Sequence, residues 1–62
     1  MDNDERPIMV VFDSEGFVYL AGQPRNPTAK EWREWSQPGW KVINMSFKEY
    51  KAANYKWIYD KK

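Results

Sequence analysis

A chain of 62 residues with neither cysteine nor histidine has no disulfide and no soft metal site to staple it, so its fold must rest on apolar burial. A domain this small hides only about 60% of the surface its unfolded chain exposes. The sequence meets that constraint with eleven aromatic side chains, four of them Trp, four Tyr and three Phe. Each buried ring removes about 150–250 Å² from water. Most of these rings are therefore expected in a core, with a surplus left for contact with something else.

The same absences narrow the chemistry. Cysteine and histidine are the commonest nucleophiles, metal ligands and neutral-pH proton carriers. The acids that remain form no paired-carboxylate site: Asp2, Asp4 and Glu5 lie in a polar terminus, and Asp13 and Glu15 belong to a turn. The three glycines stand in separate turns, so there is no phosphate-cradling loop. The expectation is a non-enzymatic protein with no cofactor and no metal. No apolar run of the kind an export signal or membrane span needs is present, which points to the cytoplasm and away from the membrane.

Charge is divided along the chain although the net value is only +1. Residues 1–31 hold six acids and three bases, and residues 32–62 hold three acids and seven bases. This polarity suits an oriented encounter with a charged partner.

Local signals place the elements. Ile8 to Phe12 and Phe17 to Ala21 are apolar runs joined by Asp13-Ser14-Glu15-Gly16, a hairpin turn with Asp at its first position and a left-handed Gly16 at its last. The expected register puts Val10 and Phe12 with Val18 and Leu20 on one face, and Met9 and Val11 with Phe17 and Tyr19 on the other. Both faces are apolar, so the hairpin is either the middle of a layered fold or half of an interface. Gly22 to Pro27 reads as a linker. Thr28 with Glu31, and Ser46 with Glu49, have capping-box spacing and open two helices. The first turns Ala29, Trp32 and either Trp35 or Ser36 inward, and the second Phe47, Tyr50 and Ala53. Gln37-Pro38-Gly39 ends the first helix, and Trp40 to Met45 reads as a strand beside the hairpin, although its alternation is imperfect. After Asn54 the chain is either a helix continuation or, the favoured reading, a stop followed by a strand over Tyr55 to Tyr59.

The result is an α+β single domain of order ββαβα(β), its N-terminal hairpin set in a mainly antiparallel sheet of three to four strands with short helices packed on one face. Residues 1–6 are expected to be a disordered acidic terminus, 7–60 the compact domain and 61–62 a frayed basic end.

Two functional classes fit. In the first, the chain is a protein-interaction module, a small regulator or inhibitor-type accessory protein that docks on another protein or on itself as a homodimer through Met9, Val11, Phe17 and Tyr19 of the outer hairpin face and through Arg33, Trp35 and Trp40 around the Pro38-Gly39 turn. The blander alternative for those two tryptophans is packing against the proline in the core. In the second class, single-stranded nucleic acid is the ligand: Lys48, Lys51 and Lys56 track phosphates while Tyr55, Trp57 and Tyr59 stack bases from one strand face. The small net charge and the scarcity of arginine make this the alternative rather than the first reading.

Overall fold

The hairpin is built around one carboxylate. In a computed structural model that describes residues 5–61, Asp13 Oδ1 accepts the backbone N–H groups of Glu15 and Phe17, both at 2.9 Å. The Asp13 N–H donates to the Phe17 carbonyl at 2.9 Å, and the Gly16 N–H to the Asp13 carbonyl at 3.0 Å. Gly16 takes φ +86°, which only glycine adopts without strain. The loop joins β1 (Pro7–Phe12) to β2 (Val18–Gly22).

The register differs from expectation by one residue. Phe12 pairs with Val18, but Val11 pairs with Leu20, so Tyr19 is an extra residue in a β-bulge. Leu20 is thereby moved from the face of Val10 and Phe12 to that of Val11 and Met9, where Tyr19 also packs. Phe17 does not join Met9 and Val11. It is half-buried at the loop, with the Lys61 ammonium 5.0 Å from its ring centre.

The chain then forms α1 (Ala29–Trp35), β3 (Lys41–Ser46), α2 (Phe47–Ala53) and a 3₁₀ turn over Ile58–Asp60. The strand order is β2-β1-β3, with both pairings antiparallel. This is the expected α+β domain. Both capping boxes form, with Thr28 Oγ1 accepting from the Glu31 N–H and Ser46 Oγ from the Glu49 N–H, each at 3.1 Å. Ser46 is at once the last residue of β3 and the cap of α2. No loop separates the two elements.

β1 lies in the middle of the sheet, and Ile8, Met9, Val10, Val11 and Phe12 are all buried. Two cores follow. Ile8, Val10, Phe12 and Val18 pack with Met45, with Phe47 and Tyr50 of α2, and with Trp57. Met9 and Val11 pack on the opposite face with Trp35 of α1, Tyr19, Leu20 and Trp40. The helices therefore cover opposite faces rather than one, because a central strand apolar at every position needs cover on both sides. Within α1 the inward ring is Trp35, and Trp32 is exposed. In α2, Phe47 and Tyr50 turn inward as expected but Ala53 is exposed.

Asn54 ends α2 at φ 57°, donating its N–H to the Lys51 carbonyl at 3.3 Å. The strand expected over Tyr55 to Tyr59 shrinks to a single parallel bridge between Val18 and Trp57, held by the Val18 N–H on the Lys56 carbonyl at 2.8 Å. Asp60 accepts the Trp57 N–H at 3.0 Å and turns the chain into the 3₁₀ segment before a ladder can extend. Among the described residues no helix is long and apolar enough to cross a membrane.

Both ends of the described chain are held. The Arg6 carbonyl accepts the Phe47 N–H at 2.9 Å, and its guanidinium lies 4.5 Å from the Phe47 ring centre. Of the expected disordered terminus, residues 1–4 lie outside the described residues. Lys61, expected to be frayed, pairs with Asp13 and with Glu15, the latter at 2.8 Å, while Lys62 lies outside the described residues. The Lys61 ammonium, with help from the Phe17 and Glu15 N–H groups, holds Asp13 below the usual carboxylate range. Asp13 and then Glu15 push Lys61 up in return.

Sealing of both faces predicts that Val10→Ala and Val11→Ala each destabilise the domain by about 2 kcal/mol in urea unfolding, since either truncation leaves a cavity in a core. A neutral Val11→Ala would mean that its face is not a core. The depressed Asp13 contributes stability that is present above pH 3.8, its ordinary value, and is lost as pH falls through the lower folded value. The raised Lys61 contributes stability that is present below pH 10.5 and lost as pH rises through its folded value. Asp13→Asn should therefore flatten both the acid and the alkaline limbs of a Tm–pH profile. The acid loss that survives is expected from Glu31, which the Arg25 guanidinium lowers from 4.5 to about 2.

Candidate functional site

The residues singled out for partner binding do not form a surface. Met9, Val11 and Trp35 are 4%, 0% and 2% exposed and belong to the second core. Tyr19 and Trp40 pack ring to ring at its rim, 5.0 Å between centroids and tilted by 57°. The Tyr19 hydroxyl bonds to Glu34, which raises its pKa. Phe17 sits under Lys61, and Arg33 alone of the set is fully on the outside. The apolar outer hairpin face exists, but this chain covers it with its own α1 and Trp40.

The nucleic-acid set fares differently. Without a strand over Tyr55 to Tyr59, the three rings do not share a face. Tyr55 meets Phe12 edge-on at 4.9 Å and lies 6.1 Å from Tyr50. Trp57 is half-buried, its Nε1–H donating to the Tyr50 hydroxyl at 2.8 Å. Tyr59, stacked on Trp57 at 6.2 Å, is 80% exposed. Lys48, Lys51 and Lys56 are exposed, and the Lys51 ammonium lies 5.0 Å from the Phe47 ring centre. Tyr59 is the most open of the three rings, and Tyr55, also exposed, is turned toward Phe12 and Tyr50 instead of lying beside it.

The large apolar side chains left outside are Trp32, Val42, Ile43, Tyr55 and Tyr59. Four of these gather at β3: Val42 and Ile43 on the strand, Trp32 in a groove with Val42, and Tyr55 in a hollow with Ile43. That strand is the edge of the sheet, with no strand beyond it among the described residues. Its cross-strand partners show which side each residue faces. Val42 opposes Val11 and Asn44 opposes Met9 on the α1 face, whereas Ile43 opposes Val10 on the α2 face. The imperfect alternation noted in the sequence is this arrangement, an apolar residue on each face of an edge.

Backbone direction completes the geometry. The Phe47 N–H donates to the Arg6 carbonyl, and the Asp13 N–H to the Phe17 carbonyl. Strand alternation from these two bonds aims the backbone of Lys41, Ile43 and Met45 at β1, and that of Val42, Asn44 and Ser46 outward. The Ser46 N–H is capped by Glu49 Oε1 at 3.2 Å, and the Trp40 N–H is spent on the Gln37 carbonyl at 3.0 Å. Between those limits lies a short window, Val42 to Asn44, of unpaired donors and acceptors.

Hollows flank the window on both sides of the sheet. On the α1 face a groove of about 490 Å³ is lined by Met9, Trp32 and Val42 together with Asn44 and the Pro24-Arg25-Asn26-Pro27 linker. On the α2 face a hollow of about 270 Å³ is lined by Phe12, Lys41, Ile43 and Tyr55 together with the Gly16 and Gly39 turns. Gly39 is needed there: it has φ +85°, and a Cβ would sit 2.9 Å from Ser14 Cβ. An extended segment laid along Val42 to Asn44 would send alternate side chains into the two hollows. Among the described residues no cluster of three or more His, Cys, Asp or Glu could hold a metal ion.

Trp35→Ala is expected to cost about 3–5 kcal/mol of stability, while Trp32→Ala changes it by no more than about 0.5 kcal/mol, both read from denaturant unfolding. Equal costs would show that Trp32 is structural. No protein-family model matches the chain, and neither a curated protein nor a solved structure matches it significantly.

Proposed function

We propose that this chain is a non-enzymatic, cytoplasmic protein-interaction module, of the kind a small regulator or inhibitor uses, and that it docks by strand addition at the outer edge of β3. The observation that carries this reading is the window from Val42 to Asn44: unpaired backbone groups with an exposed β-branched side chain on each face of the same strand. Sheet proteins commonly blunt such an edge with proline, a bulge or an inward charge. This window has none of these. In strand addition the main-chain bonds supply affinity and the side-chain hollows supply specificity. A window so short cannot bury the roughly 800 Å² per partner of a standard interface by backbone pairing alone, and the exposed Trp32 ring with its mixed polar and apolar groove provides additional contact.

The test is a photo-crosslinking amino acid introduced in turn at positions 42, 32 and 48, with the protein expressed in its source cell. Protein adducts are expected from positions 42 and 32 and not from 48 on the outer side of α2. Nuclease-sensitive adducts, or none at all from positions 42 and 32, would overturn the reading.

A further inference from the structure

Resting on the docking edge just described, we propose that its occupant is the β3 of a second copy of this chain, paired antiparallel about a two-fold axis at Ile43. The limits of the window select the register. With the axis at Ile43, Val42 lies opposite the second copy's Asn44, and both have outward backbone groups, so every free donor and acceptor of the window finds a partner. An axis at Asn44 would instead place Val42 opposite Ser46, whose N–H is already held by Glu49. Only the first arrangement uses the whole window.

The side chains agree with that register. Ile43 meets its own symmetry mate on the α2 face, as a close pair without backbone bonds between them. Val42 lies opposite Asn44 on the α1 face, where Trp32 lines the same groove, so each copy's indole flanks the seam. Lys41 falls opposite Met45, whose neighbour Ser46 carries the Glu49 carboxylate on its outward N–H. The window thus has an ammonium at one end and a carboxylate at the other. Antiparallel pairing brings each Lys41 beside the second copy's Glu49, and this charge complementarity favours self-pairing over a heterologous strand. The product is an isologous dimer with a continuous sheet, β2-β1-β3-β3-β1-β2, in which neither β3 edge remains free.

Sedimentation equilibrium of the full chain is expected to give twice the 7.5 kDa monomer mass. Asn44→Pro removes an outward donor while sparing the β1 ladder, a substitution edge strands accept. It should raise the dimer Kd at least about tenfold with unchanged far-ultraviolet circular dichroism. Because the chain has no cysteine of its own, Ile43→Cys reads the register directly. Mild oxidation should link it to its mate much faster than Val42→Cys or Ser36→Cys. A wild-type chain that stays monomeric, a dimer indifferent to Asn44→Pro, or an Ile43→Cys no faster than the two controls would each overturn the proposal. If the chain is monomeric while position 42 crosslinks to a different protein in cells, self-pairing falls and the docking edge stands. Failure of both experiments removes both.

Discussion

Five consecutive apolar residues, Ile8 to Phe12, occupy the central strand of a three-stranded sheet, and every one of them is buried. A strand sends alternate side chains to opposite faces, so this run creates two apolar faces where many small domains have one. Each face must be covered for the strand to leave water. The chain solves this by placing a seven-residue helix on each side, led by Trp35 on one and by Phe47 and Tyr50 on the other. Most of the aromatic content is spent here. The rings that looked like a binding surplus are largely the lids of two thin cores.

Helices of seven residues are too short to be stable by propensity, so their ends are closely managed. Each has a complete capping box, and the N-cap of α2 is the residue that ends β3. The Glu31 carboxylate serves its cap and also pairs with Arg25 at 2.5 Å, tying the linker to the helix start. Asp13 plays the corresponding part in the hairpin, bonding two loop N–H groups while Lys61 returns from the far end of the described chain. The Arg25–Glu31 pair sits in solvent, where salt screens it, whereas the Asp13 carboxylate is buried and only its Lys61 partner reaches water. Both contacts orient segments that the cores then hold.

With both helices and the C-terminal segment committed to the faces and to the β2 side, the outer edge of β3 is left without cover. The exposure of Val42 and Ile43 follows from the supply of elements rather than from any feature of those residues. An edge of this composition invites pairing, and its short window, closed by Trp40 at one end and by Ser46 with Glu49 at the other, restricts what can pair and in which register. In this way the capping box of α2 also shapes the binding surface.

Much of the architecture was legible from local chemistry. The Asp13 and Gly16 turn, the two capping boxes and the Asn54 stop are each set by side chains acting within a few residues of themselves, and all four form as expected from sequence. What local chemistry could not decide was anything that depends on a count across strands. The Tyr19 bulge shifts Leu20 to the other face, and only pairing with β1 shows it. Asp60 diverts the Tyr55 to Tyr59 alternation into a 3₁₀ turn through a bond to the Trp57 N–H. Trp32 was expected inward along with Trp35 or Ser36, but of these only Trp35 packs with Met9 and Val11, and Trp32 is left exposed. For the same reason the sequence determined that two apolar faces exist, while the tertiary structure alone decided that they are covered from within and that the surface left for a partner is the third strand: burial belongs to the arrangement of elements, and no residue carries that information by itself.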